Sequence, residues 1–422
     1  MRRLYTLLLY LLLPLASAVI LVRAVRERDY WRGGAARFGF GSRRAGGGIW
    51  VHAVSVGEVQ AAATLIAALR QRQPQRPISL TCATPTGRAR ARTLMPDVDV
   101  RYAPYDLPGC VRRALLRLRP TLLIVMETEL WPNLLHACAR AGIPTLIASA
   151  RLSQRSARIY HALPGLLRAA LASNVWVGAQ SSLDAQRFAT LGVPEARLAV
   201  AGNIKFDRIV APELAQRSVA LRARYAAARP MWIAGSTHEG EESIVLAAHR
   251  QVLLQQPQAL LVLAPRYPQR CDAVASLVQQ HGWQCMRRSH DAVLASAPVL
   301  LLDTLGELMD FYAAADVAFV GGSLVGVGGH NLLEPAAVGI PVLSGPQQFN
   351  SPDIARALLQ HRALTLVHNA DELALAVSTL LADAAARERL GANGQAVISA
   401  NRGALQSLLE MLETLPSAPV TT

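Results

Sequence analysis

Short runs of Val, Ile and Leu alternate with longer helix-like segments along most of this chain. Near-continuous apolar runs of this kind are typical of parallel strands that helices cover on both faces. The candidates before a mixed segment, Asp207–Pro230, are Ile49–Val54, Ile78–Ala83, Val98–Tyr102, Leu122–Met126, Thr145–Ala148, Val175–Gly178 and Leu198–Ala201. Those after it are Met231–Ala234, Ala259–Leu263, Val299–Leu302, Val317–Val320, Pro341–Leu343 and Leu364–Val367. The sequence therefore predicts an α/β protein with two doubly wound domains of similar size, followed by a helical tail.

Composition sets broad limits on size, partners and compartment. A chain of 422 residues with 52% hydrophobic residues is long enough for two or three domains with large cores. The net charge of +14 indicates an acidic partner, which could be nucleic acid, an anionic membrane surface or a phosphorylated substrate. The five cysteines are scattered and form no CxxC motif, which argues against a disulfide framework or a zinc site and suits a reducing cytoplasm.

The N-terminus carries one long apolar segment, Leu4–Val22, with arginines on both sides. About 19 apolar residues can just span a bilayer, and positive flanks stay in the cytoplasm. We therefore expect a single N-terminal membrane anchor, with the remaining chain on the cytoplasmic side. Ala16-Ser17-Ala18 also resembles a signal-peptide cleavage site, and Pro14 leaves open an embedded helix that does not span.

A glycine-rich segment, Gly321–Gly345, follows the apolar run Val317–Val320. It contains Asn331 and Glu334, which open a new helical pattern. The free N–H groups of a helix start suit a phosphate, and Glu334 could accept hydrogen bonds from ribose hydroxyls. The segment thus indicates a nucleotide-sugar site. A capping box, with Asn331 as N-cap and Glu334 three residues later, is the simpler interpretation, and both can hold at once.

Charged side chains also follow strand candidates in the first half, where ligands bind in doubly wound sheets. Glu58 opens a helix and could act as a general base on an acceptor hydroxyl, or simply stabilise the helix start. Glu127 and Glu129 follow a buried run, where carboxylates need partners; one could orient other groups and one could cap the helix near Pro132. Lys205 could stabilise charge on a leaving phosphate, or form an ordinary salt bridge.

Similar positions recur in the second half. Arg266 follows the strand Ala259–Leu263 and could grip a phosphate or a base carbonyl. The segment Gly306–Leu308 could read a base with its backbone groups, or form a plain turn between strand and helix. Three histidines lie in such turns, but they lack a local ligand pair such as HxxxH, so we do not expect a metal. These histidines are His52, His238 and His330.

Taken in order, these motifs resemble the bacterial 3-deoxy-D-manno-octulosonic acid (Kdo) transferases of lipid A assembly. The most specific pieces are Ser55–Glu58, Met126–Asn133, Ser149–Ser153, Ser236–Glu242, Gly306–Leu308 and Gly321–Ala336. The resemblance runs from the N-terminal anchor to the C-terminal helix. It implies a GT-B fold, with two Rossmann-like domains facing across a cleft. It also implies an inverting, metal-independent transfer of Kdo from CMP-Kdo to a lipid A precursor (lipid IVA), with no cofactor.

The resemblance also assigns roles to residues. Glu58 matches the family's catalytic base, and Glu127 and Lys205 match residues assigned to transition-state stabilisation. The positions that match the CMP-binding segments are Pro265, Arg266, Gly306, Glu307, Leu308, Asn331, Leu332, Leu333 and Glu334. The chain departs from the family at Tyr267, where a histidine usually stands beside the Pro-Arg pair.

The expected domains are an anchor with its basic flank (1–28), an acceptor-binding domain (29–206), a linker (207–230), a CMP-Kdo-binding domain (231–385) and a C-terminal helix and tail (386–422). The expected partners are CMP-Kdo, the anionic lipid A precursor and the inner-membrane surface. Neither nucleic acid nor an obligate protein partner is expected, since the arginines are dispersed and no recognition motif accompanies them. The alternatives are another membrane-associated GT-B enzyme that uses a UDP-sugar, as lipid-acceptor transferase or epimerase, and an idle membrane-tethered binding protein.

Overall fold

The computed structural model describes residues 1–26, 32–207, 211–290 and 297–416. The chain forms two compact units. The first comprises Met1–Arg208 together with Asn401–Thr422, and the second comprises Ile209–Ala400. Each unit is built on one parallel sheet of seven strands. The predicted α/β class with two doubly wound sheets is therefore confirmed, while the predicted domain boundaries stay predictions.

The first sheet has the strand order β3-β2-β1-β4-β5-β6-β7, so the direction of winding reverses between β1 and β4. Its strands are β1 (Gly48–His52), β2 (Ile78–Cys82), β3 (Asp99–Tyr102), β4 (Pro120–Met126), β5 (Thr145–Ala150), β6 (Val175–Ala179) and β7 (Leu198–Val200). The helices of this unit up to β7 are α1 (Arg2–Arg26), α2 (Val56–Arg72), α3 (Pro85–Leu94), α4 (Pro108–Leu118), α5 (Pro132–Arg140), α6 (Gln154–Ala162), α7 (Pro164–Asn174) and α8 (Ser182–Thr190).

The second sheet has the order β10-β11-β9-β8-β12-β13-β14 and reverses its winding between β8 and β12. Its strands are β8 (Met231–Thr237), β9 (Leu260–Pro265), β10 (Cys285–Arg287), β11 (Val299–Leu301), β12 (Val317–Val320), β13 (Val342–Ser344) and β14 (Leu364–Leu366). The remaining helices are α9 (Leu214–Tyr225), α10 (Glu241–Gln255), α11 (Cys271–Gln280), α12 (Leu308–Ala314), α13 (Leu333–Ala337), α14 (Pro352–Gln360), α15 (Ala370–Ala382), α16 (Ala384–Asn401) and α17 (Ala404–Thr414).

Every strand predicted from an apolar run forms, with ends shifted by three residues at most. The apolar runs are continuous because both faces of each sheet are covered: β1, β2 and β4 are buried almost throughout, and separate core clusters lie on the two faces. The strand that the pattern misses is β10, which pairs with β11 at the sheet edge. It is only Cys285–Arg287, too short and too polar for an apolar-run search.

The predicted helical tail forms as α16 and α17, and α17 returns to the first unit. Ala404, Leu408 and Leu409 are buried in the core cluster on one face of the first sheet. Asp207 accepts hydrogen bonds from the N–H groups of Gly403 (2.7 Å) and Leu405 (2.8 Å), and so caps the start of α17. The end of the chain therefore completes the core of the unit in which the chain begins.

The N-terminal segment folds as α1, as its apolar run predicts. Within the described parts of the chain, α1 is the one helix that is long and apolar enough to cross a membrane, over the window Arg2–Val19. This statement rests on the length and composition of the helix, and a signal sequence can have the same length and composition. Part of the predicted basic flank, including Arg28, lies outside the described residues.

Candidate active site

The two points where the sheets reverse their winding carry the polar motifs found in the sequence. In doubly wound sheets, the loops that follow the two strands at such a point diverge and leave a crevice for ligands. In the first unit these are the loops after β1 and β4, which contain Glu58 and Glu127. In the second unit they are the loops after β8 and β12, which contain the segment before Glu241 and the glycine-rich loop.

Glu58 lies in the first turn of α2, directly after β1. Ser55 is the N-cap of that helix, and its side-chain oxygen accepts a hydrogen bond from the Glu58 N–H at 3.3 Å. In return, the Glu58 carboxylate accepts from the Val54 N–H at 2.8 Å and from the Ser55 hydroxyl at 2.8 Å. The structure therefore confirms the simpler interpretation of Glu58, in which its carboxylate stabilises the start of a helix.

The surroundings of Glu58 also favour its neutral form. The residue is 8% exposed, and this burial raises the pKa of Glu58 from 4.5 to about 7. The two hydrogen bonds oppose the rise, whereas the nearby charges of Glu127 and Glu129 add to it. A carboxylate whose pKa lies near neutrality can take a proton from a hydroxyl and still be ionised in a useful fraction of molecules.

Glu127 and Lys205 form an ion pair beside this helix start. The Lys205 Nζ atom lies 2.5 Å from Glu127 Oε1, and both side chains are largely buried. Glu127 directly follows β4 and has φ of 54°, a left-handed conformation that is uncommon for a residue with a side chain. Such strained positions cluster at functional sites. The structure thus brings together two of the predicted site residues, and it forms the salt bridge that was the simpler interpretation of Lys205.

The prediction that Glu127 or Glu129 caps the following helix is wrong. The Glu127 side chain turns toward Lys205, and Glu129 accepts a hydrogen bond from the indole N–H of Trp131 at 2.7 Å. The first N–H groups of α5 are instead accepted by Asp106, whose two carboxylate oxygens lie 3.0 and 2.8 Å from the nitrogens of Asn133 and Leu134. A cap that is supplied from a distant loop leaves no mark in the local sequence.

His52 ends β1 and is fully buried. Its Nδ1 atom is hydrogen-bonded to the Thr81 hydroxyl at 2.9 Å, and its ring packs edge-on against Trp131 at a centroid distance of 4.4 Å. Burial lowers the pKa of His52 to about 3, so the ring is neutral at physiological pH. His52 therefore helps to hold the Glu129–Trp131 loop in place and does not supply a positive charge to the site.

In the second unit, Glu241 organises the glycine-rich loop, a role that sequence reasoning missed. The residue is fully buried at the first position of α10. Its carboxylate accepts four backbone hydrogen bonds at 2.6–3.0 Å, one from His238 in its own loop and three from across the crevice. The three donors across the crevice are the N–H groups of Gly322, Ser323 and Leu324. The three glutamates at 239, 241 and 242 were visible in the sequence, but nothing there distinguishes the one whose side chain turns toward the loop.

Two of the predicted turn histidines meet over this loop. The Nε2 atoms of His238 and His330 are 2.8 Å apart, and their rings are nearly parallel. Burial lowers the pKa of both histidines, that of His330 to about 4. The ring of Tyr267 stands edge-on to His238 at 5.5 Å, and the guanidinium of Arg266 lies 5.4 Å from the centre of the Tyr267 ring. The Pro-Arg-Tyr segment after β9 thus joins the loop at the same crevice.

The helix start at Asn331–Glu334 differs from the predicted capping box. The Asn331 side chain accepts from the N–H of Leu333, two residues later, at 3.1 Å. Leu332 is the residue at the N-cap position of α13, so Asn331 lies one residue too early for a capping box. The helix itself spans only Leu333–Ala337. Glu334 is close enough to the buried Tyr312 for its charge to add to the rise of the Tyr312 pKa that burial causes.

The predicted segment Gly306–Leu308 forms the turn before α12, and Gly306 has φ of 92°, which favours glycine. The Glu307 carboxylate accepts from the Arg288 guanidinium at 2.7 Å and also from the Thr304 hydroxyl. The side chain of Glu307 is thus engaged within the protein, and its carbonyl oxygen accepts from the N–H groups of Asp310 and Phe311 at 3.0 and 3.1 Å. Among the described residues, no group of three or more His, Cys, Asp and Glu side chains is arranged to hold a metal ion.

Comparison with known proteins identifies the family. Residues 32–208 match the family model described as 3-deoxy-D-manno-octulosonic-acid transferase (kdotransferase), and residues 233–397 match glycosyl transferases group 1. A 3-deoxy-D-manno-octulosonic acid transferase of Haemophilus influenzae is 43% identical over 415 residues, which are 97% of this chain and 97% of that protein. The chain belongs to the Kdo transferase family. A second relative, from Bordetella pertussis, is 39% identical over 431 residues, 98% of this chain and 99% of that protein.

This Kdo transferase is a glycosyltransferase, as the motifs predicted. Among solved structures, the UDP-GlcNAc 2-epimerase from Neisseria meningitidis bound to UDP-GlcNAc matches with a TM-score of 0.58 over 86% of this chain and 99% of that chain. At 14% identity that match shows the fold alone, and it agrees with the predicted GT-B class.

Proposed function

We propose that this Kdo transferase moves Kdo from CMP-Kdo to the lipid A precursor at the cytoplasmic side of the inner membrane. The observation that carries the proposal is Glu58, a buried carboxylate at the winding reversal of the first sheet whose pKa is raised to about 7. The names of the relatives supply Kdo as the sugar. An anionic donor and an anionic lipid acceptor also account for the net charge of +14.

The reaction we propose is a single displacement with inversion. The Glu58 carboxylate takes the proton from a glucosamine hydroxyl of the acceptor, and that oxygen forms a bond to the anomeric carbon of Kdo. The bond between this carbon and the phosphate oxygen breaks, and CMP leaves with the electron pair. Preorganised positive groups stabilise charge that develops in such a step. We assign this role to Lys205, which Glu127 holds in place at 2.5 Å.

We assign CMP binding to the second unit. The supporting features are the backbone N–H groups near Asn331, the guanidinium of Arg266, and the turn Gly306–Leu308. The glycine-rich loop that Glu241 holds lies at the winding reversal of this sheet, where nucleotides bind in the doubly wound fold. The remaining positions assigned to CMP are Pro265, Leu332, Leu333 and Glu334. In this scheme the loop holds the leaving group, and the proton transfer belongs to the first unit.

Purified enzyme, CMP-Kdo and lipid IVA provide the direct test. Mass spectrometry of the lipid product should show the mass of one or more added Kdo residues, and the Glu58→Gln enzyme should give no product above background. The matched control is Glu195→Gln, a change of an exposed glutamate in the same unit that should retain full turnover. Near-normal turnover by Glu58→Gln would refute the assignment of the base.

A nucleotide competition separates this proposal from a GT-B enzyme that uses a UDP-sugar. CMP should raise the melting temperature of the protein at lower concentration than UDP does. If UDP protects more strongly and no Kdo is transferred, the UDP-sugar alternative is favoured. If CMP protects but no lipid product forms with any acceptor tested, the chain behaves as the idle binding protein.

A further inference from the structure

His238 and His330 form a hydrogen-bonded pair in the second unit that the proposed reaction does not use. Their Nε2 atoms are 2.8 Å apart, and their ring planes are inclined by only 8°. At this distance one ring donates an Nε2–H and the other accepts it with an unprotonated Nε2. In the neutral pair the accepting ring therefore carries its proton on Nδ1, whereas the Nδ1 atom of the donating ring is unprotonated.

Backbone contacts around Glu241 hold the two rings in this arrangement. The Glu241 carboxylate accepts from the backbone N–H of His238 at 3.0 Å and from that of Gly322 at 2.6 Å. The His330 ring packs against Gly322, where an added Cβ atom would lie 2.8 Å from Cδ2 and 2.9 Å from Nε2 of that ring. The carbonyl oxygen of Gly322 also accepts from the N–H of Gly329 at 2.7 Å. The loop is thus shaped to place one ring against the other.

The Nδ1 atoms of the two rings are accessible to a ligand. Both side chains are half-buried. Among the described residues, neither Nδ1 atom has a hydrogen-bond partner, and neither is a fully buried polar atom. A proton can be added to the unprotonated Nδ1 without breaking the hydrogen bond between the Nε2 atoms. The charged pair then presents two Nδ1–H donors, which suit the oxygens of an anion.

The charged groups around the pair favour its neutral form. Burial lowers the pKa of both rings, and the positive charge of Arg266 adds to this effect. Glu241 and Glu242 act in the opposite direction on the pKa of His238, whereas Arg270 lowers it. Glu241 is engaged by its four backbone donors, and Glu242 is paired with Arg270 at 2.5 Å. No carboxylate in the described part of the chain pairs with Arg266, whose positive charge is left for an anion.

A phosphate bound at the pair reverses this preference, because a nearby negative charge favours the charged form of a histidine. The pair also stands where the doubly wound fold places nucleotides. His238 lies in the loop after β8, and His330 lies in the glycine-rich loop after β12, on the two sides of the winding reversal.

We propose that the His238–His330 pair binds the phosphate group of CMP and takes up one proton from the solvent when it does so. The proton adds to the unprotonated Nδ1 atom, and the hydrogen bond between the rings is kept. When CMP leaves Kdo with the electron pair, its phosphate gains one negative charge, which the charged pair stabilises together with Arg266. This inference rests on the assignment of CMP to the second unit under the proposed function.

Isothermal titration calorimetry of the full-length protein with CMP tests this proposal. The titrations run from pH 7 to pH 8.5 in buffers of different ionisation enthalpy, because the second pKa of a phosphate monoester is near 6 and CMP is then mostly a dianion. At pH 7 we expect uptake of about one proton for each CMP bound. Since only the bound pair holds this proton, affinity should weaken as pH rises, by up to about tenfold for each pH unit. Cytidine, which lacks the phosphate, should bind without proton uptake.

Glutamine variants assign the proton to the pair. His238→Gln and His330→Gln should each bind CMP without proton uptake and with the same affinity at every pH, because an amide does not become a cation. The matched control is His361→Gln, a change of an exposed histidine in the same unit, which should behave as the wild type. A pair that only supports the loop gives a different result, in which both variants bind more weakly and the wild type takes up no proton.

The outcomes separate this inference from the proposed function. Binding of CMP by the wild type without proton uptake, at an affinity that is constant from pH 7 to pH 8.5, would overturn the inference and leave the proposed reaction standing. Proton uptake that persists in both glutamine variants would overturn it as well. Binding of UDP in place of CMP would refute the proposed donor, and the inference would fall with it.

Discussion

Replacing Glu58 with glutamine should abolish activity and at the same time make the folded protein more stable at alkaline pH. The carboxylate is 8% exposed and lies near the charges of Glu127 and Glu129. Its ionised form, which the proposed reaction requires, is the form that this environment disfavours. Glutamine removes the charge but keeps the shape. Its amide can accept from the Val54 N–H and donate to the Ser55 oxygen, so both local hydrogen bonds have a substitute.

The size of the effect follows from the pKa. The separation between 4.5 and about 7 corresponds to roughly 3 kcal/mol of folding free energy, at about 1.4 kcal/mol for each pH unit. The wild-type protein loses this stability at a pH where Glu58 is ionised in both the folded and the unfolded chain. Weaker hydrogen bonds to the amide reduce the gain to about 2 kcal/mol. For a unit of this size, that gain raises the melting temperature by roughly 4–8 °C.

The difference in stability between the wild type and Glu58→Gln depends on pH. Because the pKa of Glu58 is raised on folding, the folded state binds a proton between pH 4.5 and about 7 that the unfolded state has already released. The stability of the wild-type protein therefore falls as pH rises through this window, and the glutamine variant escapes that fall. At pH 5 the two proteins should melt at nearly the same temperature, and at pH 8 the variant should melt higher.

Calorimetric melting of wild type and Glu58→Gln from pH 5 to pH 8.5 measures this difference, with Glu195→Gln as the control. The exposed control should follow the wild type at every pH. The difference between wild type and Glu58→Gln should open with a midpoint between pH 5 and pH 7. A difference that is flat across this range would refute the claim that burial raises the pKa of Glu58, whatever the activity of the variant.

Three further outcomes follow from the site. The kcat/KM of the wild type should rise with pH and level off above a midpoint near 7 in a pH–rate profile, because the base of the free enzyme must be ionised. Lys205→Met should lower stability by about 1–3 kcal/mol in chemical denaturation by leaving Glu127 unpaired, and adding Glu127→Gln should restore stability but not turnover. Glu241→Gln should raise the KM for CMP-Kdo roughly tenfold, as expected for a loss of about 1.4 kcal/mol in the anchoring of the glycine-rich loop, whereas the exposed Glu239→Gln should not.

Apolar patterning was sufficient to predict the fold. Both sheets are parallel and covered on both faces, so most strands are continuous apolar segments. Such segments can be recognised from the sequence alone. The exceptions are elements whose existence depends on a neighbour. The edge strand β10 is three residues long and is held by its pairing with β11. The return of α17 to the first unit depends on Asp207, which caps the helix from nearly two hundred residues earlier in the chain.

The positions of the candidate site residues were predictable to the extent that these residues follow strands. Glu58, Glu127 and Lys205 stand in such loops, and the structure places Lys205 on Glu127 and both Glu127 and Glu129 near enough to Glu58 to raise its pKa. The directions in which the side chains of these loops point were not predictable. Glu129 turns to the indole of Trp131, and Asp106 from a distant loop supplies the cap of α5, so neither contact is marked in the local sequence.

The two units give the same architectural position different hydrogen-bonding surroundings. Each places a buried glutamate in the first turn of the helix that follows the central strand at the winding reversal, Glu58 in α2 and Glu241 in α10. Glu241 accepts four backbone N–H groups, so its oxygens are fully engaged in holding a loop. Glu58 has one backbone donor and one hydroxyl, with further carboxylates nearby. The number of fixed donors thus distinguishes Glu241, a structural acceptor, from Glu58, to which we assign the proton transfer.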